Sequence, residues 1–161
     1  MAGRVNGKVA IVTGASKGLG KADAEALARE GATVVMTDVD DAGADVASAI
    51  ADETGATVVF KQQDVTNEER WQEIVNEVES EFGGIDVLVN NAGIVIVAMP
   101  EQCTLEQFRL HNAVMNEGVF LGCKAVIPAM KTLGGSIINM SSIEGIVGDP
   151  NTPAYNASKG A

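Results

Sequence analysis

Cysteine is scarce in this 161-residue chain: Cys103 and Cys123 stand apart, with neither the paired spacing of a zinc site nor the density of a disulfide framework. No metal and no disulfide are therefore expected, and a reducing, cytoplasmic setting is. Histidine is scarcer: His111, the only one, has no partner motif around it and is expected on a helix surface without a chemical role. Positive charge is short as well, 11 Lys and Arg against 22 Asp and Glu, for a net charge of −11. That balance repels nucleic-acid phosphates and anionic headgroups, and no basic cluster overrides it, so neither nucleic acid nor membrane is an expected partner. The first apolar run, residues 9–13, is too short for a signal segment or a bilayer span. The sequence has no evident linker, tandem repeat or low-complexity segment.

Apolar residues are plentiful at 46%, enough for the core of one domain spanning residues 1–161. Short, β-branched runs at 8–13, 33–37, 57–60, 86–90 and 136–140 alternate with stretches of helical period at 19–30, 42–53, 67–82 and 104–130. This alternation predicts an α/β fold, a doubly wound parallel sheet in three αβα layers. Gly31, Gly55 and Gly83 stop the first three helices. Thr104 and Gln107 fit a capping box, and 104–130 reads as one long helix that kinks or ends near Pro128. Trp71 is assigned to packing, on the outward half of the third helix.

The segment Thr13-Gly14-Ala15-Ser16-Lys17-Gly18-Leu19-Gly20 follows the first strand and opens the first helix. Glycines there let the backbone turn tightly and approach a pyrophosphate at a helix N-terminus, so the loop is read as a nucleotide cradle. Asp38 ends the second strand 18 residues after Gly20, near the spacing at which a carboxylate reaches the adenosine ribose. An acid there disfavours a 2′-phosphate, and Val39 follows it instead of an arginine, which favours NAD over NADP; Lys17 argues the other way. Asp64, with Val65 just past the third strand, is placed to accept from the adenine amino group or to act as a plain helix-start acid. Asn90-Asn91-Ala92-Gly93 follows the fourth strand, with Asn90 taken as support for the sheet. The loop 94–100 and Glu144 are expected to face the pocket.

Three motifs together, Thr13 to Gly20 as TGxxxGxG, Asn90 to Gly93 as NNAG, and Ser142 with Tyr155 and Lys159 as a Ser and YxxxK separated by thirteen positions, identify a resemblance to the short-chain dehydrogenases/reductases. It covers the whole chain, and residues 136–160 are most similar to bacterial secondary-alcohol dehydrogenases, including R-specific ones. The resemblance implies a Rossmann-like fold and hydride exchange between NAD, or less readily NADP, and a small hydrophobic secondary alcohol or ketone, without a catalytic metal. It also implies a homodimer or homotetramer. Tyr155 would exchange a proton with the substrate oxygen, Lys159 would lower its pKa and hold the nicotinamide ribose, and Ser142 would bond the carbonyl oxygen. The cofactor would rest on Gly14, Ser16, Lys17, Gly18, Leu19, Gly20, Asp38, Asp64, Val65, Asn91, Ala92 and Gly93, and on Tyr155 and Lys159.

Two departures accompany the resemblance. The family's central helix usually carries an asparagine three residues before the glycine of N-x-x-G-V-F; here that position is Met115, and Asn116 lies one place off, about a third of a helix circumference away. The family also continues beyond the YxxxK motif with strands, helices and a substrate-covering lobe. This chain stops at Ala161, so it is expected to carry a short, fraying Tyr155/Lys159 helix and an open edge at the fifth strand. Two other functions stay open: a catalytically impaired nucleotide-binding module, and a 3-oxoacyl-thioester reductase, for which the acidic sequence offers no carrier-binding basic patch.

Overall fold

The computed structural model describes residues 3–161. Five strands, β1 (Val9–Thr13), β2 (Thr33–Asp38), β3 (Val58–Gln62), β4 (Val87–Asn90) and β5 (Ser136–Asn139), form one parallel sheet in the order β3-β2-β1-β4-β5. The helices are α1 (Gly18–Arg29), α2 (Gly43–Thr54), α3 (Glu68–Phe82), α4 (Leu105–Asn112), α5 (Gly118–Met130) and α6 (Pro153–Lys159). The chain winds from β1 outward to β3, then returns to β4 on the other side of β1. The strand order therefore reverses at β1 and β4, and the crevice beyond their C-terminal ends is where such sheets bind ligands.

The alternation of side chains along β1 divides the core between the two faces. Ala10 and Val12, with Val34, Met36 and Val89, pack against Ala24 and Ala28 of α1 and Ala47 and Ile50 of α2. Val9 and Ile11, with Val35 and Leu88, pack against Trp71, Ile74 and Val78 of α3 and Val126 and Met130 of α5. Small alanines on one face and large side chains on the other give the three-layer αβα arrangement. Helix ends follow the glycines: Gly55 and Gly83 are left-handed, at φ 71° and 85°.

Three expectations need correction. Trp71 packs as expected, but from the inward half of α3: it is 1% exposed, and its Nε1 donates to the Val65 carbonyl at 2.9 Å. His111 is fully buried: Nε2 accepts from the Ile96 amide at 3.2 Å and Nδ1 lies 2.7 Å from the Gln107 carbonyl, so it fastens the loop after β4 to α4. The helix at 105–130 is continuous but contains a π-helical turn, Ala113–Glu117, between α4 and α5, and it runs two residues past Pro128. By length and composition this helix, Leu105–Met130, would also suffice to cross a bilayer; here it lies along the sheet and α3.

Candidate functional site

The glycine loop is held open by side chains at the end of β4. Thr13 Oγ1 accepts from the Asn91 and Ala92 amides, each at 3.0 Å, and Asn91 Nδ2 donates to the Thr13 and Gly14 carbonyls at 2.9 and 3.1 Å. Gly14 has φ 62°, and a Cβ there would lie 2.8 Å from Ala92 Cα. A Cβ on Gly20 would lie 2.4 Å from the Gly14 carbonyl oxygen. The two glycines thus let loop, helix start and the Asn91 turn meet, while Gly18, φ 60°, has open space where a Cβ would stand. Lys17, the N-cap of α1, makes no side-chain cap bond, so the first-turn amides stay available to an anion.

A cleft of about 410 Å³ extends from this loop, lined by Gly14, Lys17, Leu19, Asp38, Asp64, Val65, Asn91, Ala92 and Gly93, together with Gln63, Ile94 and Val114. Asp38 is fixed within it: one carboxylate oxygen accepts from the Ser16 amide at 3.0 Å and the other from the Asp40 amide at 3.1 Å. Asp64 accepts from the amide and hydroxyl of Thr66, at 2.9 and 2.8 Å, and so also shapes the turn before α3. Ser16, Gly18 and Gly20 do not line the cleft; the Ser16 hydroxyl instead donates to the Asp40 carbonyl at 3.0 Å. A glycine-lined floor, a helix start with free amides and an anchored carboxylate together fit a nicotinamide dinucleotide.

The second part of the site is built on the exit of β5. Lys159 Nζ donates to the Met140 carbonyl at 2.5 Å and stands 5.8 Å from the centre of the Tyr155 ring. Burial lowers the Lys159 pKa below its ordinary value, because the charged form loses water. Ser141 Oγ donates to the Lys159 carbonyl at 2.8 Å, tying the helix end to the strand exit. Ser142 caps a single 3₁₀ turn, Ile143–Gly145, its Oγ accepting from the Glu144 amide at 3.2 Å. A cavity of about 350 Å³ beside Lys159 is lined by Met115, Asn116, Val119, Phe120, Asn139 and Ser158 among others.

Met115 is buried, and its sulfur would be 3.3 Å from a Cβ on Gly93, so it lies between the cleft and the lysine cavity. Asn116 lines that cavity and donates to Asn112 Oδ1 at 2.6 Å. Asn90 braces the sheet as expected, donating to Asn139 Oδ1 at 2.9 Å. Gln63 escaped the sequence reading: it is buried in the cleft wall, and neither amide atom has a partner. Its position beside Asp64 was the only signal. Among the described residues, no three His, Cys, Asp or Glu side chains converge as a metal site.

Comparison with known proteins places this geometry. The family profile described as short chain dehydrogenase matches residues 8–161. An NADP-dependent (R)-specific alcohol dehydrogenase of Lentilactobacillus kefiri is 47% identical over all of this chain and 64% of its own length. A cyclopentanol dehydrogenase of Comamonas testosteroni is 42% identical over 99% of this chain and 64% of its own. A 3-alpha-(or 20-beta)-hydroxysteroid dehydrogenase of Mycobacterium tuberculosis is 42% identical over 99% and 60%. The chain thus spans somewhat under two thirds of these relatives. A crystal structure of a short-chain type dehydrogenase/reductase from Mycobacterium marinum superposes with a TM-score of 0.93 at 36% identity, over 98% of this chain and 65% of that one.

Proposed function

The chain belongs to the short-chain dehydrogenase family, and from that premise we propose that it is the nucleotide-binding and catalytic part of an oxidoreductase interconverting a secondary alcohol and its ketone. The observation that carries this is the Tyr155–Lys159 pair, with the ammonium 5.8 Å from the ring centre and Ser142 on the adjoining turn. The dinucleotide, when bound, supplies the hydride acceptor or donor. The rest is the work of this chain's own groups. Tyr155, with the Lys159 ammonium beside its ring, takes the alcohol proton or returns it, and the Ser142 hydroxyl donates to the developing carbonyl oxygen.

Asp38 supports NAD over NADP: its carboxylate, fixed in the cleft by two backbone amides, would repel a 2′-phosphate. Substitution Asp38→Ala is then expected to raise affinity for NADP relative to NAD. Ile94 and Val114 in the cleft and Val119 and Phe120 in the lysine cavity offer apolar walls and suit an uncharged, hydrophobic substrate. The partly exposed face of α4 and α5, with Phe108, Phe120 and Ile127, suits a second copy of the chain in a homodimer or homotetramer. Cys103 and Cys123 are free thiols, consistent with a cytoplasmic setting.

A second reading rests on Met115, an apolar side chain beside the lysine cavity: a nucleotide-binding module with impaired turnover. One experiment separates the two. The purified chain is mixed with NAD and a panel of secondary alcohols, and NADH absorbance is followed beside Tyr155→Phe. Turnover lost in the variant, with NADH binding intact, supports the dehydrogenase; binding without turnover in either protein supports the module.

A further inference from the structure

The proposed chemistry requires Ser142 and Tyr155 to stand at a fixed separation, yet they sit on two separate short elements. Ser142 opens the single turn Ile143–Gly145, and Tyr155 lies in the first turn of the seven-residue α6. Neither element is long enough to hold itself. At its far end α6 is tied to the exit of β5, through Lys159 Nζ to the Met140 carbonyl and through Ser141 Oγ to the Lys159 carbonyl. The near end, which carries Tyr155, needs a separate restraint.

Thr152 supplies it. A threonine in the N-cap position ordinarily turns its hydroxyl oxygen to a first-turn amide, but Thr152 makes no cap bond. Its hydroxyl donates instead to Glu144 Oε2 at 2.6 Å, the length of a charge-assisted O–H···O⁻ bond. A rival acceptor, Asn156 Oδ1, is farther at 3.2 Å, and the Asn156 amide is held by its own donation to the Asp149 carbonyl at 2.7 Å. One hydroxyl proton can serve one acceptor well, and the short contact to the carboxylate takes it. Thr152 is 7% exposed and Glu144 half-buried, so the bond is partly shielded from water. Glu144 is two residues from Ser142 and Thr152 three from Tyr155, so this bond spans the two catalytic elements.

Resting on the dehydrogenase reading, we propose that Glu144 and Thr152 are positioning residues, a clamp that sets the spacing between the Ser142 turn and the Tyr155 helix. Neither acts on the substrate. The loop after β4 joins the same hub, the Ala98 amide donating to the Asn151 carbonyl at 2.8 Å, so the clamp also registers that loop against the catalytic pair.

Tyr155 is the only tyrosine in the chain, so a ring-¹³C tyrosine label gives one signal that reports its surroundings without any turnover. That signal, kcat, KM, NADH affinity and the melting temperature are compared in wild type, Thr152→Val, Thr152→Ser and Glu144→Leu. Thr152→Val and Glu144→Leu are expected to displace or split the Tyr155 signal and to lower kcat about tenfold to a hundredfold, with NADH affinity kept. Thr152→Ser, which retains the hydroxyl, restores both. Where leucine at 144 unfolds the chain, Glu144→Gln against Glu144→Ala replaces it, the glutamine keeping the signal in place and the alanine moving it. An unmoved signal in Thr152→Val overturns the clamp, as does a loss of kcat that serine fails to restore or that comes with loss of NADH binding. A wild type that turns over no alcohol overturns the dehydrogenase reading, while a Tyr155 signal displaced by valine and restored by serine still establishes the clamp.

Discussion

Lys159 meets two opposed demands. Its charge must sit beside Tyr155 to be useful, and the half-buried position that puts it there lowers its pKa by withholding water. A cation whose folded pKa lies below its unfolded value of 10.5 costs stability wherever it is protonated in both states. That cost is fully present below the folded pKa and is relieved as pH rises from there toward 10.5. Lys159→Met, which keeps the aliphatic stem, is therefore expected to abolish turnover yet melt no lower than wild type at pH 7. The comparison should turn in favour of wild type as pH approaches 10. A variant that melts far below wild type at pH 7 would show that the bond to Met140 outweighs burial. Gln63 offers a parallel case, since its two unpartnered amide atoms are buried. Gln63→Met should raise stability by about 1 kcal/mol, the order expected for relieving an unsatisfied buried group, as read by urea unfolding. A loss of stability would indicate that internal water serves the amide.

At this scale the sequence was legible wherever a residue acts through its chemical type. Asp38 and Gly14 line the cleft at the positions their spacing indicated, while Tyr155 and Lys159 were marked by the family motif they match. Direction was not legible: His111 is buried although expected on a helix surface, and Trp71, a packing residue as expected, packs from the inward half of its helix, because what a helical side chain faces depends on the neighbouring strand and loop, which no local pattern encodes. Nor could the sequence show that Ser16 and Asn91 spend side-chain atoms within the protein, on Asp40 and on the glycine loop.

Elements were read best where buried on both faces. β1, β2 and β4 are central and buried almost throughout, whereas β3 extends to Lys61 and Gln62, two polar residues beyond its apolar run. As an edge strand β3 tolerates them, and Lys61 turns its ammonium to Glu77 and Glu81 on α3 at 2.8 and 2.7 Å. The Lys61 bond, chiefly, holds the Glu77 carboxyl below its ordinary 4.5, burial opposing and Arg70 assisting. A depressed carboxylate contributes stability above 4.5 that is lost as pH falls through the folded value. Lys61→Met should thus cost up to about 1 kcal/mol at pH 7, as partly exposed pairs do, and the gap to wild type should close in melts taken well below pH 4. An unchanged gap in acid would assign the effect to packing. The π-turn at Ala113–Glu117 was beyond sequence reading, since its one-residue excess leaves the apolar pattern of the surrounding helix nearly intact.

For the whole molecule, the open question is what covers the α4–α5 face. Phe120 and Ile127 lie seven residues apart on one side of α5, 63% and 44% exposed, with Lys124 between them drawn aside to Glu68 of α3. Aromatic and aliphatic surface left in water at this density favours burial against a matching surface, and an isologous pair presents the same face twice. The net charge of −11 works against any such pairing at low ionic strength, since two copies repel each other until salt screens them. Association through this face should therefore strengthen with added salt, where an association driven by ion pairs would weaken. Sedimentation equilibrium of the purified chain across a salt series is expected to show the pair growing with salt, and Ile127→Glu is expected to remove it while leaving circular dichroism and NADH affinity unaltered. A wild type that stays monomeric at every salt concentration, or an Ile127→Glu variant that still pairs, would assign this face to some other contact and leave the homodimer without support.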